Sequence, residues 1–124
     1  MRLVGIDSPE SVRPGTPVEC GAEAAAGSLA HPAPAGARVR LVADPTQDGV
    51  DRYGRLLRYG ERSGRDLGKV QIDRGWAEVY VYYPSGPFER VRVYRRAEAR
   101  ATAADRGVFK RCGGDFHKPR GGGR

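Results

Sequence analysis

Apolar residues along this chain fall in short bursts separated by proline, glycine and aspartate, and the period within each burst predicts its secondary structure. Arg2 to Ile6 is a β-type run that ends in a turn at Asp7-Ser8-Pro9-Glu10, because proline cannot continue a central strand. Ser11 to Pro17 is a Pro/Gly loop, and the alanine-rich stretch Ala22 to Ala30 predicts a short helix stopped by His31-Pro32. Two starts are open for that helix: Thr16-Pro17-Val18-Glu19 has the form of a capping box, whereas Gly21 would delay the first turn. Ala37 to Val42 alternates polar and apolar positions as a half-buried strand does, and Asp44 to Asp51 is a turn-rich connection. Tyr53 to Tyr59 resumes a strand-like pattern around Gly54; a turn at Arg62-Ser63-Gly64-Arg65 precedes a helix from about Asp66 to Arg74, closed by Gly75. Trp76 to Tyr83 is extended and aromatic. Val91, Tyr94, Ala97, Ala101 and Ala104 recur at three- and four-residue steps between Pro87 and Gly107, which marks a helix with one apolar, core-facing stripe. Strands and helices are segregated, so the fold class is α+β, with neither a repeat nor a second domain.

Composition narrows the choice of partner. A chain of 124 residues with 39% hydrophobic positions makes one small domain. Twenty-two Lys and Arg against fifteen Asp and Glu give a net charge of +7, which favours nucleic acid or an acidic membrane surface, although a basic surface kept for solubility also fits. No stretch has the length and apolarity of a membrane span, and Met1 to Ile6 lacks the layout of a signal peptide. Residues 113–124 hold five glycines with almost no apolar anchor and read as a flexible tail. Cys20 and Cys112 share no short spacing; a disulfide formed in an oxidising compartment is the economical reading, and two unpaired thiols in a cytosolic chain the alternative. Neither cysteine sits at the short ligand spacing of a structural zinc site, so His31 and His117 read as surface residues.

Three sets of residues could carry chemistry. Asp7 and Glu10 flank a proline-fixed turn, close enough to share a hard divalent cation through oxygen ligands; the competing use of D-x-x-E is a capping box, but Ser11 to Gly15 would not continue a helix. Arg2, five residues before Asp7, and Arg55, after the turn Asp51-Arg52-Tyr53-Gly54, could face one anion from neighbouring strands, since the guanidinium fork matches phosphate. Two solvated surface arginines are the alternative. Tyr53, Tyr80, Tyr82 and Tyr83 offer rings for base stacking, or half of them pack into a core.

Together these segments resemble one family. Arg2-Leu3-Val4-Gly5-Ile6-Asp7-Ser8-Pro9-Glu10 resembles the R-L-x-x-[VI]-D-[TS]-P-E signature of staphylococcal-nuclease-like proteins, and Asp51-Arg52-Tyr53-Gly54-Arg55 their D-[KR]-Y-G-R segment. Gly21-Ala22-Glu23-Ala24 is similar to their G-P-E-A helix start, and Val79 to Pro84 to their Tyr-x-Tyr-x-Pro segment. The resemblance covers residues 1 to about 112. It implies an OB-fold-like barrel with three helices that hydrolyses DNA and RNA phosphodiesters with calcium, leaving 3′-phosphate ends. By that resemblance Asp7 and the Ser8 carbonyl would bind Ca2+, and Glu10 would orient or deprotonate water. Arg2 and Arg55 would stabilise phosphoryl charge, while Arg52, Tyr53, Tyr80 and Tyr82 would hold the nucleotide. The ending after Cys112 is similar to exported members, so a secreted or cell-envelope monomer without a membrane partner is expected. Family members carry two further strands, with another calcium-binding aspartate, before the arginine matching Arg2, and the chain is expected to be incomplete there. The alternative function is a non-catalytic nucleic-acid-binding OB-fold module, or an inactive fragment.

Overall fold

In chain order the elements are β1 (Arg2–Leu3), β2 (Ile6–Asp7), α1 (Ala22–Ala30), β3 (Arg40–Val42), β4 (Leu57–Arg62), β5 (Arg65–Asp66), α2 (Leu67–Asp73), β6 (Glu78–Val79), α3 (Val91–Ala103) and α4 (Val108–Arg111). The structure is a computed structural model that describes residues 2–9, 18–83 and 85–117. β4 is the central strand: β1 joins it in parallel with Arg2 opposite Leu57, β3 antiparallel with Leu41 opposite Gly60, and β5 through the turn at Ser63-Gly64. β2 and β6 form a separate antiparallel pair, Ile6 opposite Val79 and Asp7 opposite Glu78. The class is α+β, as expected. Among the described residues the strands do not close into a barrel, though their arrangement is compatible with an OB-like fold.

Local sequence explains where most elements start and stop. The Asp66 side chain accepts a hydrogen bond from the Lys69 amide at 3.1 Å and so caps α2, whose last turn closes on Gly75. In α3, Tyr94, Ala97 and Ala101 of the predicted stripe are fully buried, whereas Ala104 lies past the helix end and is exposed. Tyr94, Phe88 and Tyr59 form an edge-to-face aromatic cluster with Val4, Leu57 and Ile72, the core between α2, α3 and β4. Burying each such large side chain stabilises the fold by about 1.5–3 kcal/mol. The Tyr94 hydroxyl donates to Asp66, which also pairs with Arg90 at 2.9 Å, so one carboxylate ties α2 to α3.

The predicted strands prove shorter than their patterns. The run from Tyr53 becomes a strand only at Leu57, because Asp51 holds the preceding residues in a turn. Within Trp76 to Tyr83 only Glu78 and Val79 pair as a strand. α1 spans the alanine-rich run and begins after Gly21; the alternative start at Thr16 and Pro17 lies outside the described residues.

A second, smaller core differs from the expectation of a flexible end from Gly113. Phe116 is 3% exposed and packs with Val108, Cys112, Trp76 and Phe109. Cys112 is bonded to Cys20, closing a loop across 92 positions. Residues 113–117 are thus tied to the domain by one aromatic anchor and one covalent bond. α4, a single turn between the two anchored points, adds to the three expected helices.

Candidate active site

Gly5 sets the relation between the two most informative side chains, Arg2 on β1 and Asp7 on β2. Its φ of +79° turns the chain between the strands, and a Cβ there would clash with the Phe88 ring. The Gly5 carbonyl accepts the Tyr80 amide at 2.9 Å, which draws the aromatic segment alongside. The Val79 amide in turn donates to the Glu98 carboxylate of α3 at 2.8 Å, fixing β6 to the helix.

Arg2 is held on several sides. Its Nε–H donates to the Tyr82 hydroxyl at 3.0 Å, one Nη donates to the Ile6 carbonyl at 3.2 Å, and the same nitrogen lies 3.7 Å from Asp7 Oδ1. Tyr80 and Tyr82 meet edge to face at 4.8 Å beside it, and the guanidinium lies 5.7 and 5.9 Å from their centroids. Burial would lower the Arg2 pKa, but the Tyr82 and Asp7 oxygens outweigh it and raise the value, so the charge is secure. Burial raises the Tyr82 pKa against the opposing Arg2 charge, which keeps its hydroxyl neutral.

Arg55 approaches from another segment. Asp51 organises the turn before it, accepting from the Tyr53 and Arg55 amides at 2.9 Å each and from Arg55 Nε at 2.7 Å. Tyr53 is 69% exposed, with Arg52 4.8 Å and Arg55 5.4 Å from its ring, so these three side chains form an outward platform. Arg2, Asp7, Ser8 and Arg55 line one cleft of about 400 Å3, together with apolar Ile6 and Leu67. One arginine from β1 and one from the turn before β4 thereby line a partly apolar recess with a carboxylate, an arrangement suited to a phosphate group.

A family model of staphylococcal nuclease homologues matches residues 1–111. The chain belongs to the staphylococcal nuclease homologue family. Among curated proteins no match was found. Membership makes the chain nuclease-like at the coarse level, with nucleic acid as the family's substrate.

In this staphylococcal nuclease homologue the site residues read from the sequence fall into three groups. Arg2, Asp7, Ser8 and Arg55 share the cleft; Arg52 and Tyr53 stand on the exposed turn, and Tyr80 and Tyr82 flank Arg2. Glu10, the expected base, lies outside the described residues. Among the described residues no three His, Cys, Asp or Glu side chains converge as a metal-holding group, and no helix is long and apolar enough to cross a membrane.

Two neighbours of Asp7 were missed by sequence reasoning. Glu78 is its cross-strand partner, and burial followed by the Asp7 charge raises the Glu78 pKa. His117, read as a surface residue, has Nε2 2.8 Å from Asp7 Oδ2 and Nδ1 2.9 Å from Glu19 Oε1. Burial would lower the His117 pKa, but hydrogen bonds to Glu19 and Asp7 prevail and raise it above the ordinary imidazole value. No local signal marks either residue, since neither contact follows from sequence spacing.

Proposed function

We propose that the chain is a calcium-dependent nuclease that hydrolyses phosphodiester bonds of DNA and RNA and leaves 3′-phosphate ends. The observation that carries this reading is the cleft that Arg2 of β1 and Arg55 of the turn before β4 line together with Asp7 and Ser8. Support also comes from family membership.

Calcium takes oxygen ligands, and the described residues offer one carboxylate, Asp7, and the Ser8 carbonyl at the same cleft. That set fits a hard cation that keeps several waters and gains substrate oxygens. Bound there, calcium would polarise the phosphoryl oxygens. Arg2 and Arg55 supply donors that stay charged throughout and favour the phosphoryl charge that grows in the transition state. Arg2 is pre-set for this task by Tyr82 and the Ile6 carbonyl. Glu10, three residues after Asp7, orients or deprotonates the attacking water. Tyr53 and Arg52 on the exposed turn, with Tyr80 and Tyr82 beside Arg2, hold the nucleotide by stacking and by contact with phosphate. Closure of the Cys20–Cys112 bond is compatible with an exported protein.

The test is cleavage of single-stranded DNA by the chain with calcium or with a chelator, alongside Glu10→Gln and Arg55→Ala. Loss of a positioned base costs roughly 10² to 10⁴ in rate, and loss of a charge-stabilising donor about 10² to 10³. Product ends that a polymerase extends only after phosphatase treatment identify the 3′-phosphate. Chelator-resistant cleavage, or full rate in Glu10→Gln, overturns the assignment.

A further inference from the structure

His117 and Glu19 reach Asp7 by way of the disulfide. Glu19 immediately precedes Cys20, and His117 follows Cys112 by five positions, so the Cys20–Cys112 bond brings the two segments together. Phe116, buried at 3% exposure against Phe109 at 5.4 Å, fixes the residue before His117. The His117 amide donates to Asp115 Oδ1 at 2.9 Å, which turns the backbone at that point. The ring is therefore delivered on a braced segment.

Its two nitrogens divide between two acids. Nε2 meets Asp7 Oδ2 at 2.8 Å, and Nδ1 meets both Glu19 oxygens at 2.9 and 3.1 Å. An imidazole bound through both nitrogens cannot spin or slide, so it holds the Asp7 carboxylate in one rotation. Asp7 Oδ1 is left directed to the Arg2 side of the cleft, 3.7 Å from the guanidinium. Hydrogen bonds to a ligating carboxylate are the usual means of fixing a metal ligand, and their removal weakens metal affinity.

We propose that His117 is a positioning residue for Asp7, held in place by the Cys20–Cys112 bond and by Glu19, and that it sets the calcium affinity of the site. This rests on the metal-binding reading of Asp7 given above.

The experiment measures calcium affinity by calorimetry, and kcat and the calcium concentration for half-maximal rate, in the full chain and five variants. His117→Ala is expected to weaken calcium binding about 10- to 100-fold with kcat at saturating calcium little changed. His117→Gln, which keeps an N–H donor for Asp7, should recover most of the affinity. Cys20→Ala/Cys112→Ala should reproduce the loss of His117→Ala, and adding His117→Ala to it should cost no more, since both remove one brace. Thermal unfolding of each variant separates lost affinity from lost fold, and His117→Ala leaves the disulfide intact. Calcium binding in folded His117→Ala that equals or exceeds that of the parent overturns the proposal. Asp7→Asn distinguishes the two readings: if it abolishes calcium binding while His117→Ala does nothing, only the brace is wrong. If Asp7→Asn binds calcium normally, the metal role of Asp7 and the brace fall together.

Discussion

The Nε–H of Arg2 donates to the Tyr82 hydroxyl at 3.0 Å, joining a cleft-lining side chain to one 80 positions away. The bond aims a guanidinium whose remaining donors face the cleft and the Ile6 carbonyl. Tyr82→Phe keeps the ring beside Arg2 and removes only this acceptor. The expected outcome is a stability loss of about 1 kcal/mol, with a fall in kcat about tenfold and little change in KM. Such a split marks an interaction that matters in the transition state. Steady-state kinetics and a urea melt measure the two effects.

Gly5→Ala tests the turn between Arg2 and Asp7. The added Cβ would meet the Phe88 ring and would force an alanine to hold a φ of +79°. Overpacking of this kind costs about 1–3 kcal/mol, and the displaced turn would move Arg2 relative to Asp7. Activity should therefore fall further than the stability loss explains, measured at a temperature where the variant is still folded. A folded variant with parental activity would show that this turn does not set the site.

Asp51 is the organiser of the exposed turn. Its carboxylate accepts from two backbone amides and from Arg55 Nε. Those hydrogen bonds and the Arg55 charge prevail over desolvation and lower its pKa. Asp51→Ala should loosen the turn, weaken nucleotide binding through Arg52 and Tyr53, and lower kcat through Arg55. Fluorescence titration with a short oligonucleotide reads the first effect, and steady-state rates the second.

Acid stability should depend on Asp44, 4% exposed in the core. It accepts from the Tyr59 hydroxyl, the Thr46 amide and hydroxyl at 2.8 and 2.7 Å, and the Glu89 amide at 2.8 Å. Burial would raise the Asp44 pKa, yet the bonds from Tyr59, Thr46 and Glu89 lower it below the usual carboxylate value. A depressed folded-state pKa contributes stability that is present above the unfolded value, about 3.9, and lost as pH falls through the folded value. Asp44→Asn should lose roughly 2 kcal/mol at neutral pH and show a shallower decline below pH 4. Chemical denaturation at a series of pH values checks both slopes.

Much of this protein was settled by local sequence. The alanine run defines α1, the Asp66 cap starts α2, and the spacing of Tyr94, Ala97 and Ala101 gives the buried face of α3. These features depend on neighbours within about one helical turn, so a linear reading captures them. The motifs around Asp7 and Arg55 were legible for the same reason: each side chain is placed by a turn whose residues lie beside it. What tertiary structure decided was which of these local pieces meet. Strand lengths fell to two or three residues where pairing is brief, as in Trp76 to Tyr83, of which Glu78 and Val79 pair with Asp7 and Ile6. His117 reaches Asp7 over 110 positions, and Phe116 anchors residues 113–117 against Val108 and Cys112, beside the Cys20–Cys112 bond. Such contacts arise from packing and one covalent closure, and no periodicity along the chain encodes them.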